Sequence, residues 1–236
     1  MNKSLNDGNI HSFDEVKEHG LEKSAAEFSE GSDVLKKVLL DLWDMGLETK
    51  ACCKGTIEKD HKSDIHLRFP YIYLVVNNDN SQKIVDLIGY ILAENSKTSP
   101  TIYLVMYNNM TFGKSLVLDR FFFTNNGTKK MFETISSATS KLKKNESLID
   151  SELIKNVRPI FNKISNSVSL DAIRLEFRIK NNRAQLFIED YDNKLYGFNV
   201  TKKNMERIND ALDEFLCNSE CKEGHFDKIE DKELKF

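Results

Sequence analysis

Two adjacent cysteines followed by a lysine and a glycine, Cys52-Cys53-Lys54-Gly55, are the residues in this chain whose types and spacing most suggest chemistry. A lysine beside a thiol lowers the thiol pKa, and the thiolate is the form that attacks electrophiles and binds metals. A turn that carries such a pair would form a ligand or partner site. The candidate residues for this site are Thr49, Cys52, Cys53, Lys54, Gly55 and His61.

The same segment has a purely structural interpretation. Neighbouring residues of a strand point to opposite faces, so one thiol would enter the core and the other would lie outside it. A buried cysteine behaves as a small hydrophobic residue, and Gly55 would supply the positive φ that a tight turn needs. Packing, metal binding, redox chemistry and ligand contact all remain open from the sequence.

The run Thr49-Lys50-Ala51-Cys52-Cys53-Lys54-Gly55, followed by Pro70-Tyr71-Ile72-Tyr73, resembles the Thr-x-x-x-Cys-x-Gly turn of the wybutosine-synthesis tRNA methyltransferase family. It also resembles uncharacterised phage and bacterial proteins with an Ala-Cys-Cys-x-Gly-His turn. The first resemblance implies a tRNA- or nucleoside-modifying enzyme that uses Thr49, Cys53 and Gly55. The second implies a phage or mobile-element accessory protein that antagonises a host factor.

Two further groups of side chains have a spacing that suits binding. Cys217, Cys221 and His225 follow each other at intervals of four, so a continuing helix would place them on one face as zinc ligands. Gly224 argues against that helix. Arg174, Arg178, Lys180 and Arg183 would lie on one face of a strand and hairpin, where they could meet an anion such as an RNA backbone. A solvated outer face with Glu176 between the cations is the alternative.

Elements that would position these residues follow from periodicity. Ser32 as an N-cap, an apolar stripe from Val34 to Trp43 and Gly46 beyond the end predict a helix. Strands around 47–53, 67–76, 101–107 and 114–123 alternate with a helix whose apolar stripe runs from Ile84 to Leu92 and with a helix at about 129–143. A polar loop is expected over 58–64. This order predicts an α-β-β-α-β-β-α domain over 31–144, after a flexible or marginally helical segment over 1–30.

The second half shows the same logic. A linker is expected at 143–147, then a helix over 151–165 that Pro159 kinks or splits. Three strands near 171–180, 184–190 and 195–200 precede a closing helix. The sequence therefore predicts an α-β-β-β-α domain over 148–219 and a charged tail over 220–236. The predicted class is α+β, with two small layered domains, each a mostly antiparallel sheet with helices on one face.

The composition of the chain limits the classes of function that we expect. The net charge of −3 gives no overall attraction for nucleic acid or anionic membranes. The N-terminus lacks the apolar core of a signal peptide, and the longest apolar runs are strand-sized, so a cytoplasmic protein is expected. No nucleotide-binding glycine loop or carboxylate-pair motif occurs, so no cofactor is expected. We interpret the chain as a non-enzymatic macromolecule-binding protein with a protein partner, and RNA as the alternative.

Overall fold

Helices and strands alternate along the computed structural model, which describes residues 9–10, 12–59, 65–68, 70–77, 79–98, 102–109, 113–119, 125–148, 151–167, 169–170, 172, 174–180 and 182–217. The first elements are β1 (Asn9–Ile10), α1 (Phe13–His19), α2 (Leu21–Phe28), α3 (Asp33–Asp44), β2 (Thr49–Cys53), β3 (Thr56–Lys59), β4 (Ile65–Arg68), β5 (Tyr71–Val75) and α4 (Ser81–Thr98). The remaining ones are β6 (Ile102–Asn109), β7 (Gly113–Asp119), α5 (Asn125–Lys143), α6 (Glu152–Asn166), β8 (Ser169–Leu170), β9 (Arg174–Lys180), β10 (Arg183–Glu189), β11 (Leu195–Asn199), α7 (Met205–Phe215) and β12 (Leu216–Cys217). A short 3-10 helix, Lys202–Asn204, precedes α7.

Serine side chains begin three of the helices. Ser12, Ser32 and Ser151 each accept a hydrogen bond from the backbone N–H three residues later, at the starts of α1, α3 and α6. This bond satisfies an N–H that has no acceptor inside the helix. Gly46 has a φ of 75° just after α3, so the predicted N-cap and the glycine at the end of this helix are both confirmed.

Eight of the described strands form one antiparallel sheet, in the order β1-β2-β5-β7-β6-β9-β10-β11. The pairing of β6 with β9 joins the two halves of the chain, with Leu104 opposite Phe177 and Val105 opposite Glu176. Two smaller pairs, β3 with β4 and β8 with β12, lie outside this sheet. The predicted α+β class with antiparallel strands is confirmed.

The helices pack on one face of the sheet. Along this layer α3 contacts α2 and α5, α4 contacts α5 and α6, and α6 contacts α7. The strand residues in the common hydrophobic core share the face that meets these helices; they include Cys52, Ile72, Leu74, Leu104, Leu175, Phe177, Leu186, Ile188 and Phe198. The Phe161 ring of α6 stacks on the Phe177 ring of β9, with centroids 4.4 Å apart. We name the opposite side of the sheet the open face.

The predicted division near residue 146 needs a correction. The expected two layered domains share one sheet and one core cluster, because β6 pairs with β9 and because the helices on either side pack on each other. The linker itself lies against α4. The Tyr90 hydroxyl donates a hydrogen bond to the Glu146 carbonyl, and a Cβ added at Gly89 would lie 2.8 Å from Leu148 Cδ2.

Three other expectations change. The segment expected to be flexible or marginally helical contains β1, which pairs with β2, and two short helices that Gly20 separates with a φ of 87°. Part of the expected polar loop over 58–64 belongs to the β3–β4 hairpin, whose residues 60–64 lie outside the described part. Helix α6 continues through Pro159, so of the two expected effects of this proline, a kink or a split, the split does not occur.

In the part of the chain that the structure describes, no helix combines the length and the apolar character that crossing a membrane requires.

Unfolding of a destabilised variant tests the shared core. Phe161→Ala removes a fully buried ring from the second half, and such a loss costs about 3–5 kcal/mol. Trp43, the one tryptophan of the sequence, lies in α3 of the first half. We expect urea unfolding followed by Trp43 fluorescence to shift to lower urea by the same amount as unfolding followed by circular dichroism. An unchanged fluorescence midpoint would show that the two halves unfold independently.

Candidate functional site

The thiol turn lies where β2 leaves the core and packs against the α2–α3 connection. Gly55 has a φ of 77°, which confirms the predicted positive φ at this turn. The Lys54 ammonium donates a hydrogen bond to the Glu30 carbonyl at 2.6 Å. Glu30 itself has a φ of 51°. The lysine therefore ties two tight turns together.

Cys52 belongs to the core beneath the helices. Its side chain has no exposed surface, and the thiol donates to the Phe28 carbonyl at 3.5 Å. Burial raises the pKa of the Cys52 thiol from its ordinary 9.0 to about 12, with smaller contributions from the negative charges of Glu30 and Cys53. The predicted lowering of a thiol pKa by Lys54 is therefore not what occurs at Cys52, because desolvation favours the neutral form.

Cys53 points to the other face of the sheet. It is 2% exposed, and its sulfur accepts a hydrogen bond from the Gly55 N–H at 3.4 Å. Tyr71 lies directly opposite Cys53 in the register of β2 and β5. Burial also raises the pKa of Tyr71, and Cys53 adds to this shift. The two thiols therefore face different environments, as the alternation of a strand requires.

Thr49 has a structural partner inside the core. Its side chain is fully buried, and Oγ1 accepts a hydrogen bond from the Trp43 indole nitrogen at 3.0 Å. This bond fixes the end of α3 on the first residue of β2. Of the predicted thiol-turn residues, Thr49, Cys52 and Cys53 are buried, whereas His61 lies outside the described residues.

The predicted cationic residues do share one surface, the open face at β9 and β10, but they divide into two groups. Arg174 and Arg178 both bind the Glu176 carboxylate, with Arg178 Nε 2.5 Å from Oε1 and Arg174 Nη1 3.4 Å from Oε2. Arg174 Nε also lies 2.5 Å from Glu189 Oε2. The other two cations, at the β9–β10 turn, are exposed.

The central network covers buried side chains of the open face. The Arg178 guanidinium lies 4.1 Å from the centroid of the Phe187 ring. Phe187 is 3% exposed and Glu176 is 6% exposed, so the arginines shield both from water. Sequence reasoning noted Glu176 only as an interruption of the cationic series. Its position directly opposite Phe187 in the register could have indicated this central role.

The helix that would have carried the predicted zinc ligands ends before the first of them, Cys217. Helix α7 stops at Phe215, because Leu216 and Cys217 adopt an extended conformation and pair with β8. Cys217 therefore lies on a strand, which corrects the expectation of a shared helical face. Cys221 and His225 fall outside the described residues. Within the described ones, no group of three or more His, Cys, Asp or Glu side chains could hold a metal ion.

A groove of about 640 Å³ runs between α3 and α5 on the helix layer. Lys37, Ser136 and Ser140 line it, and the Lys37 ammonium donates to both serine hydroxyls and to Asp41. Lys141 on its wall is paired with Glu94 at 2.6 Å. These polar groups already satisfy each other across the helix contact, which is consistent with a structural role.

No family model, no curated protein and no solved structure matches this chain in the comparisons with known proteins. The geometry defines an α+β protein with helices on one face of an eight-stranded sheet and an ion-paired network of Arg174, Glu176 and Arg178 on the other. The activities implied by the two resemblances stay predictions.

The Thr49–Trp43 bond can be tested by paired substitutions. Thr49→Val keeps the shape of the side chain but removes the acceptor, and we expect it to lower the free energy of unfolding by about 1–3 kcal/mol. Thr49→Ser retains the hydroxyl and serves as the control, with a smaller loss. Chemical denaturation measures both. Equal losses for the two variants would show that the methyl contact, rather than the hydrogen bond, accounts for Thr49.

The buried Cys52 thiol predicts a pH dependence of stability. Above pH 9 the thiol ionises in the unfolded chain but stays neutral in the folded one, so stability falls as pH rises towards 12. We expect a contribution of about 1 kcal/mol per pH unit in this window. Urea denaturation at pH 8, 9 and 10 should show a steeper fall for the natural protein than for Cys52→Ser. Parallel pH dependences would mean that Cys52 does not stay neutral.

Proposed function

We propose that this chain is a binding protein that recognises another protein through the open face of β9, β10 and β11. The observation that carries the proposal is the exposure of Tyr191 and Leu195 beside the Arg174–Glu189 ion pair. Tyr191 is 61% exposed and Leu195 is 54% exposed. Tyrosine and arginine are enriched in the residues that dominate protein–protein binding energy.

The distribution of the core supports this choice of face. Helices bury the other face, so a partner that approaches the sheet meets the open face. Its described side chains include Tyr71, Tyr73 and Val75 of β5, Arg174, Glu176, Arg178 and Lys180 of β9, Arg183, Gln185, Phe187 and Glu189 of β10, and Leu195 and Asn199 of β11, with Cys53 and Val105 buried on the same face. Over β9–β11 this surface mixes polar, charged and apolar groups, as protein interfaces do.

The charged centre of the open face is ordered before any partner arrives. Glu176 forms ion pairs with Arg174 and Arg178, and Arg174 also pairs with Glu189. Gln185 Nε2 donates a hydrogen bond to Asn199 Oδ1 at 3.1 Å. Side chains already fixed in the free protein lose less entropy on binding. This order favours recognition of a partner with a defined surface.

The exposed apolar pair is held by a structured turn. Asp190 Oδ1 accepts hydrogen bonds from the backbone N–H groups of Asp192 at 2.9 Å and Lys194 at 2.8 Å. The Tyr196 hydroxyl donates to Asp190 Oδ2 at 3.1 Å. Such a turn keeps Tyr191 and Leu195 at the end of a rigid hairpin. Large apolar side chains in this position supply contact area at low entropic cost.

The resemblance to phage and bacterial proteins extends the proposal to the biological setting. It favours a mobile-element accessory protein whose partner is a host factor. The composition favours the cytoplasm as the place of action. Both statements are predictions from the sequence.

Affinity capture with matched variants tests the proposed surface. Tyr191→Ser with Leu195→Ser removes the apolar pair, and Leu21→Ser removes the remaining large apolar side chain exposed in the described residues, at 37% on α2. We expect a protein captured by the natural chain to be retained by Leu21→Ser and reduced at least about tenfold by the double variant. Quantitative mass spectrometry of the three eluates provides the measurement. Equal capture by all three would place the partner elsewhere.

A further inference from the structure

Four cationic side chains gather at the end of the sheet opposite the Tyr191 hairpin. Lys180 and Arg183 lie directly opposite each other on either side of the β9–β10 turn. The Val200 N–H donates to the Ala184 carbonyl at 2.8 Å, so the chain leaves β11 at the same end of the sheet as this turn, and Lys202 and Lys203 follow two and three residues later. We name Lys180, Arg183, Lys202 and Lys203 the basic end.

The basic end differs from the charged centre in its lack of counter-charges. All four side chains are exposed, and none has an ion pair with another described residue. Glu206 follows Lys202 at a spacing of four, yet no ion pair forms between them in the described structure. The cations of the centre, by contrast, are neutralised by Glu176 and Glu189. Among the described residues from β9 to Lys203, the unpaired positive charge is therefore concentrated at one end of the strands.

This arrangement is unfavourable for folding alone. Like charges that lie directly opposite on neighbouring strands repel each other, as Lys180 and Arg183 do here. Local arrangements that disfavour folding are expected at functional sites, where a bound partner compensates for them. An anionic group over the turn would relieve the repulsion.

The chemistry around the basic end favours a protein as the source of that anion. Binding of single-stranded RNA uses exposed aromatic rings on which bases stack. Among the described side chains that β9 and β10 place on this face, the one aromatic ring, Phe187, is 3% exposed beneath Arg178. Aspartate and glutamate side chains need no such platform, and the net charge of −3 gives the whole molecule no general affinity for nucleic acid.

We infer that the basic end binds an acidic segment of the protein partner, while Tyr191 and Leu195 contact an apolar part of the same partner. This inference rests on the proposed function and adds the charge of the partner to it. The four predicted anion-binding residues then have two different roles. Lys180 and Arg183 contact the partner's carboxylates, whereas Arg174 and Arg178 order the surface between the two contacts.

Two variants with equal net charge test the inference. The first, K180Q/R183Q/K202Q/K203Q, removes the basic end. The control, K23Q/K130Q/K144Q/K155Q, removes four exposed lysines on α2, α5, α6 and the turn after α5. Fluorescence anisotropy measures binding of a labelled polyglutamate peptide of about 20 residues and of a poly-uridine RNA with about the same charge, at about 50 mM salt, where screening is modest. Circular dichroism verifies that both variants are folded.

We expect the full-length natural protein to bind the polyglutamate peptide, the basic-end variant to bind it about tenfold or more weakly, and the control to stay within about twofold. The inference is overturned if the peptide does not bind, if both variants weaken equally, or if the RNA binds about tenfold more tightly than the peptide. None of these results affects capture through Tyr191 and Leu195. The proposed function can therefore survive a failure of this inference.

Discussion

The antiparallel pairing of β6 with β9 is the contact on which the arrangement of the molecule depends, because it joins strands from both halves of the chain into one sheet. The pairing places Leu104 opposite Phe177 on the helix side and Val105 opposite Glu176 on the open face. A shift of one residue would exchange these faces and bury charged side chains beneath the helices. The register of this one pair therefore determines which residues form the core and which form the open face.

The helix layer reinforces the same register. Phe161 stacks on Phe177, and the chain between α5 and α6 is fastened to α4 by the hydrogen bond from Tyr90 to Glu146. Because Gly89 has no side chain, Leu148 can lie close to the axis of α4. Contacts of this kind hold an exposed connection that reads as a linker against α4, with Leu148 packed on the core. A single sheet with a single helix layer is the consequence.

Local sequence patterns were sufficient to predict most elements and the α+β class. Ser32, the apolar stripe after it and Gly46 define α3 by short-range physics alone, and the alternation of residues in β9 defines its two faces. The pairing of β6 with β9 is different, since it depends on strands separated by more than sixty residues. The segment Lys143-Lys144-Asn145 is polar, and a polar connection is compatible both with one joined core and with two separate domains. The two-domain expectation failed at this point.

The candidate sites show the same difference between features set by local sequence and features set by distant contacts. The thiols of Cys52 and Cys53 could be assigned to opposite faces from strand alternation. The pKa of Cys52, by contrast, depends on its burial and on the charge of Glu30, more than twenty residues earlier in the chain. The basic end likewise depends on tertiary structure, because the Val200–Ala184 hydrogen bond places the chain before Lys202 and Lys203 at the same end of the sheet as Arg183.

Charge is distributed on the open face in a way that simple solvation does not require. A solvated outer face would gain from cations and anions placed alternately along its whole length, as Arg174, Glu176 and Arg178 are. At the β9–β10 turn this alternation stops, and two cations face each other across the strands. The turn would be more stable with one acidic residue at either position, since opposite charges on facing strands attract. Under the proposed binding function, the negative charge that would relieve this repulsion belongs to the partner.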